Sequence, residues 1–340
     1  MTSTILAGER AGAGRPMPQR RYRTLIACAG LLLAAPAAAQ TPSITVILLG
    51  TGTPVPRADR LGPSTLVQAG SQRLLFDVGR GVPVRLAQIH VPMGQISALF
   101  ITHLHSDHVV GFPDFWLTGR LANPQFAHRT QPLRVYGPVG TRAMIDALRV
   151  AFQADLKIRA ADERLPAVDA AIVTTEIEQG VVYDSAGVKV TAFTVDHGDL
   201  IKPAFGYRID YAGHSVVLSG DTRPSENLIQ FAAGADLLVH EVALAAAADR
   251  AKSEVLQRVL AHHTSPEAAG RIFARVKPKL AVYSHIGFTS YDPTITPPTI
   301  ADLVAETRTT YTGRFEVGED LMSIAVGDSV VARRVGTPRP

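Results

Sequence analysis

The chain has 340 residues, of which 46% are hydrophobic and 19% charged, and it has one cysteine, Cys28. This much apolar material excludes a disordered tail, and a lone thiol excludes a disulfide-stapled mini-protein. The formal charge of +4 belongs to the N-terminus: taking the five arginines and one glutamate of residues 1–39 from 34 basic and 30 acidic residues leaves 29 of each, a balance without a basic footprint for tracking nucleic-acid phosphates.

In chain order, Arg20, Arg21 and Arg23 precede an apolar run over 25–34, and Ala37-Ala38-Ala39 supplies a small-residue cleavage pattern before Gln40. The run is too short to span a bilayer. The expected organisation is a signal peptide over 1–39, with residues 1–16 an unused extension upstream of Met17, a single hydrolase domain over 40–332 and a frayed tail over 333–340. Export to the periplasm or medium follows, with no membrane span left after cleavage. The mature chain then has no thiol, so its metal ligands must be nitrogen or oxygen.

Residues 43–49 form a β-rich run that ends in the turn Gly50-Thr51-Gly52-Thr53-Pro54, and Leu74-Leu75-Phe76-Asp77 reads as a second strand. Helical stretches are expected at 82–89, 141–152, 226–233, 266–276 and 299–307. Strands are expected at 98–102, 187–194, 205–211, 215–219, 235–240 and 280–284. Strands and helices mix without even βαβ spacing, which favours two packed sheets flanked by helices over a doubly wound sheet.

The densest chemical signal is Thr102-His103-Leu104-His105-Ser106-Asp107-His108, directly after an apolar strand. Imidazole and carboxylate suit a borderline cation such as Zn²⁺. In extended backbone His103 and His105 point the same way, and Asp107 and His108 open a helix at another angle, so one segment can serve two neighbouring ions. Burying these groups without partners is costly. Three more donors stand just past apolar strands, where strand ends share one rim: His197, Asp221 and His285.

This constellation resembles the metallo-β-lactamase-fold hydrolases, an α/β class built as a four-layer αββα sandwich, and within them the branch of ribonuclease Z and the zinc arylsulfatases. The segments that carry the resemblance are Leu49-Gly50-Thr51-Gly52-Thr53-Pro54, Gly62-Pro63-Ser64-Thr65, Phe76-Asp77-Val78-Gly79, Ser219-Gly220-Asp221-Thr222, His240-Glu241 and His262-His263-Thr264. It implies two Zn²⁺ per chain, with Mn²⁺ or Fe as alternatives. His103, His105 and His197 would hold one ion, Asp107, His108 and His285 the other, and Asp221 would bridge them around a shared hydroxide that Asp107 orients. Asp77 and His240 would support the ligands from behind. His262, held by Glu241, would protonate the leaving group, with His263 structural. A homodimer is implied by the resemblance alone.

For the substrate, ribonuclease Z carries a protruding arm for transfer RNA between the equivalents of His197 and Asp221. Here only 24 positions separate these residues, which leaves no room for the arm, and an exported protein would not meet precursor transfer RNA. The expectation is therefore a small ester and no nucleic-acid partner: a sulfate or phosphate (di)ester, with an arylsulfatase-like or phosphodiesterase-like activity. Phe115 and Trp116 would form an aromatic wall for the leaving group, and Arg57, Arg60 and Arg223 would neutralise an anionic ester. A lactone or carboxylic ester is the alternative, and β-lactam hydrolysis or a non-catalytic metal-binding role ranks below it.

Overall fold

The structure, a computed structural model, describes residues 44–125 and 128–334. The expected signal peptide, the alternative start at Met17 and residues 335–340 lie outside these. Among the described residues no helix is long and apolar enough to cross a membrane.

Two sheets face each other. The first has eight strands in the spatial order Val330–Arg333, Ser323–Val326, Ile44–Gly50, Ser64–Ala69, Gln72–Phe76, Ala98–Phe100, Leu133–Gly137 and Ile172–Glu176. The second has seven, in the order Phe315–Val317, Leu280–Thr289, Leu237–Ala245, His214–Leu218, Ala204–Tyr211, Val188–Val195 and Gly180–Ser185. Both are mixed: the strands from Gln72–Phe76 to Ile172–Glu176 pair in parallel, as do those from His214–Leu218 to Phe315–Val317.

The alternation along Val188–Val195 shows how sequence makes the layers. Val188, Val190 and Ala192 turn to the core between the sheets, which also holds Val46, Phe76 and Phe100, while Phe193 turns outward to meet helices. Helices Glu226–Phe231, Pro266–Val276 and Ile300–Arg308 cover the outer face of the second sheet through Leu228, Ile272, Phe273 and Leu303. Helices Val82–Gln88, Phe112–Gly119 and Thr141–Ala151 cover the first through Leu86, Phe115, Trp116 and Ile145. The chain thus forms the expected αββα sandwich.

The expected aromatic wall is corrected here. Phe112, Phe115 and Trp116 recur at the i, i+3, i+4 spacing of one helical face, and that face packs on the sheet. Phe115 and Trp116 are fully buried, and Trp116 Nε1 donates to the carbonyl of Ala170 at 3.1 Å. The parallel parts of both sheets deliver their carboxyl ends to one rim, where open sheets gather binding groups.

Candidate metal centre and its cleft

After the strand Ala98–Phe100 the chain stays extended to His105, then turns into the one-turn helix Ser106–Val109. This break in backbone direction aims His103 and His105 apart from Asp107 and His108. His197 follows the strand Val188–Val195, Asp221 follows His214–Leu218, and His285 lies within Leu280–Thr289. His285 (φ 46°) and Asp77 (φ 57°) adopt the left-handed conformation that disfavours residues with a Cβ, a cost that gathers at functional sites.

The seven donors converge. Nε2 of His197 lies 3.3 Å from Nδ1 of His105, and with His103 the three nitrogens fall within 4.8 Å of one another. Oδ2 of Asp107 lies 3.2 Å from Nε2 of His285 and 3.6 Å from Nε2 of His108. Oδ2 of Asp221 sits between the two sets, 3.2 Å from His285, 3.3 Å from His108, 3.8 Å from His197 and 3.9 Å from His103. Nε2 of His103 and of His108 is buried without a hydrogen-bond partner among the described residues, which is costly unless an ion meets it. An all-nitrogen-and-oxygen set of this geometry fits divalent metal ions.

Groups behind the donors fix their tautomers. Nδ1 of His108 donates to Oδ2 of Asp77 at 2.8 Å, and Nδ1 of His197 donates to the carbonyl of His262 at 2.9 Å, leaving each Nε2 for a metal. Asp77 also accepts from the backbone and hydroxyl of Thr102 at 2.8 and 2.9 Å. Burial lowers His103, His105 and His197, the last to about 4, so all three are neutral imidazoles ready to ligate. Burial opposes ionisation of Asp221, yet His285 and His108 hold it well below the usual carboxylate range.

The structure corrects the expected His262–Glu241 pair. Oε2 of Glu241 lies 3.3 Å from Nδ1 of His263, and its Oε1 accepts from the backbone N–H groups of Thr222 and Thr264 at 3.1 and 3.0 Å. Burial pushes His263 down, but Glu241 outweighs it and lifts the imidazole to about 9. His263 also joins Asp221 and His285 within 4.8 Å. The His262 ring lines the cleft, lowered by burial and by its neighbour His263. His240 is fully buried, with Nδ1 donating to the carbonyl of Glu241 at 2.6 Å and its ring against Phe273, so it touches no donor directly. The expected anion-neutralising arginines are engaged internally. Arg223 pairs with Asp196 at 2.8 Å, beside His197; Arg57 pairs with Asp59; Arg60 is buried, donating to Thr51 and to the carbonyl of Gly318.

A cleft of about 260 Å³ opens over Asp107, Asp221 and His285, walled by Thr53, Pro54, Val55, Val259 and Tyr291. Sequence reasoning read His263 as structural and passed over Tyr291. The Glu241 pairing marks the first only in three dimensions, and the second stands just past the end of the strand Leu280–Thr289, beyond its buried stretch.

The beta-lactamase superfamily domain model matches residues 72–286. A protein of Mycolicibacterium gilvum named Ribonuclease Z is 36% identical over 293 residues, which is 86% of this chain and 100% of that protein. Among solved structures, the metallo-beta-lactamase fold protein YhfI from Bacillus subtilis is similar with a TM-score of 0.64 at 18% identity, covering 84% of this chain and 99% of that one. The short form of human tRNase Z gives a TM-score of 0.60 at 23% identity, covering 82% and 98%. The relative named Ribonuclease Z overturns both the expected small-ester substrate and the expected absence of a nucleic-acid partner. This chain spans that relative's whole length, so the short interval between His197 and Asp221 is no ground for exclusion.

Proposed function

The chain belongs to the beta-lactamase superfamily, and from that premise we propose that it is a metal-dependent ribonuclease of the ribonuclease Z type, cleaving a phosphodiester bond in RNA with two zinc ions. The observation that carries the reading is Asp221, one carboxylate within 3.9 Å of donors from two separate triads at the floor of an open cleft. His103, His105 and His197 would hold one ion, Asp107, His108 and His285 the other, with Asp221 between them.

Bound there, the two ions supply Lewis acidity to the phosphoryl oxygens and lower the pKa of the attacking water. The remaining work belongs to the chain. Asp107 lines the cleft, and although burial raises its carboxyl, His285 and His108 keep it ionised, so it accepts a hydrogen bond from the nucleophile and aims it. His263 stands at the same cleft, protonated through its pairing with Glu241, and delivers its proton to the departing ribose oxygen. Glu241 keeps that imidazolium oriented.

The test is cleavage of a transfer-RNA transcript extended at its 3′ end by zinc-replete enzyme. A single internal cut is expected, slowed about 10²- to 10⁴-fold by His263→Ala and much less by His262→Ala. An intact transcript in the presence of metal-loaded protein overturns the reading, and equal losses in the two variants overturn the role of His263.

A further inference from the structure

Two grooves leave the metal cluster on either side of His105, which lines both. One is the cleft of Pro54, Val55, Val259 and Tyr291. The other, of about 220 Å³, runs past Leu104, Val139, Leu200 and Lys202. Each mouth carries exposed apolar side chains: Val55 is 61% exposed and Tyr291 49% at the first, Val139 69% and Leu200 98% at the second. Single exposed apolar residues need no explanation, but a set ringing one catalytic mouth marks a binding surface. The backbone that carries Tyr291 is held in place. Its N–H donates to the fully buried carboxylate of Asp249 at 2.7 Å, and the next residue, Asp292, pairs with Lys252 at 3.3 Å. A half-exposed aromatic ring on a fixed backbone beside a phosphodiester-cleaving centre has the form of a stacking platform, which accepts any base because every base has a π-face.

Resting on the functional reading above, we propose that the RNA strand crosses the metal cluster unstacked, with the base of a nucleotide flanking the cleaved bond lying on Tyr291 and the strand's other side leaving over Leu104 and Leu200. The occupant is single-stranded RNA because both grooves are continuous with the metal donors: His105, Asp107, Asp221, His263 and His285 line the first, and His103 and His105 the second. A duplex would keep its bases stacked on one another and leave the ring uncovered.

The test is a double-mutant cycle between protein and RNA. kcat/KM is measured for wild type, Tyr291→Phe and Tyr291→Ala on an RNA they cleave and on versions with an abasic ribose at each position flanking the cut. On intact RNA Tyr291→Ala is expected to lose about 5- to 150-fold and Tyr291→Phe little. At one flanking position the abasic change costs wild type a similar factor and costs Tyr291→Ala nothing further, so the two proteins become equal on that substrate. If base removal at every flanking position costs the alanine variant as much as it costs wild type, Tyr291 carries no base and the inference fails while the ribonuclease reading stands. Wild-type enzyme that leaves every RNA uncut overturns both.

Discussion

Glu241 divides its two oxygens between backbone and side chain. Oε1 satisfies two buried N–H groups, on Thr222 and Thr264, and Oε2 faces His263. The first role concerns the fold, the second the proton. The neighbours His262 and His263 are indistinguishable by type or spacing in the sequence, and side-chain direction alone decides between them: the His262 backbone carbonyl orients His197, and its ring faces the cleft, while the His263 ring finds the carboxylate. A pH dependence separates the two roles of Glu241. In metal-free protein the folded His263 sits at about 9, above its unfolded value of about 6.5. A raised pKa stabilises the fold fully below about 6.5, and that contribution is lost as pH rises through 9. Urea unfolding of metal-free wild type should therefore show stability falling over this window. Glu241→Gln keeps an acceptor oxygen for the two N–H groups but removes the charge, and should lose the His263 share of that slope while keeping the share of His108, which burial lowers but Asp221 and Asp77 raise. Equal slopes in both proteins refute the pairing. Glu241→Ala should in addition cost about 1–3 kcal/mol for each N–H left unsatisfied.

At the scale of elements, the metal loop is supported by a second loop beneath it. Val78 donates to the carbonyl of His108 at 2.8 Å, Gly111 donates to the carbonyl of Val78 at 2.9 Å, and Asp77 holds His108 and Thr102. The backbones come so close that a Cβ on Gly79 would lie 2.5 Å from the carbonyl carbon of Gly62 and 2.7 Å from the carbonyl oxygen of Asp107. Gly79→Ala should thus push the Asp107 segment outward, with a loss of about 1–3 kcal/mol from overpacking and a lowered metal content after purification. Wild-type stoichiometry by elemental analysis would show that the contact gives way without disturbing the donors. The strands that deliver donors were legible because each is an apolar run followed within three residues by a donor His or Asp. The helices Ala247–Lys252 and Glu254–Leu260, which bring Val259 over the cleft, were not expected: each buries one side chain fully, Asp249 and Leu256, so neither carries an apolar stripe. Helix Gln153–Asp162 buries no residue fully, so it too has no periodic signature.

The two-sheet architecture could be anticipated from the mixed order of strands and helices, because each sheet has one face to bury against the other and one against helices. The order of strands within each sheet could not, since pairings such as Ile44–Gly50 with Ser323–Val326 join residues far apart in sequence. Nor could the proposed substrate, because the interval from His197 to Asp221 is filled by the antiparallel pair Ala204–Tyr211 and His214–Leu218, and a short hairpin says nothing about what a bound strand would touch elsewhere on the rim. That architecture has a thermodynamic consequence. The first sheet supplies His103, His105, Asp107 and His108, and the second supplies His197, Asp221 and His285, so each donor set joins the two sheets. Ions bound only by the folded chain stabilise it by mass action, by about 4 kcal/mol at a free concentration a thousandfold above Kd. Chelation should therefore lower Tm, and added zinc should restore it. Asp221→Asn weakens the one carboxylate that touches both sets, so zinc should raise its Tm far less than that of wild type. Should zinc raise both proteins' Tm equally, Asp221 would not be the link between the two halves of the centre.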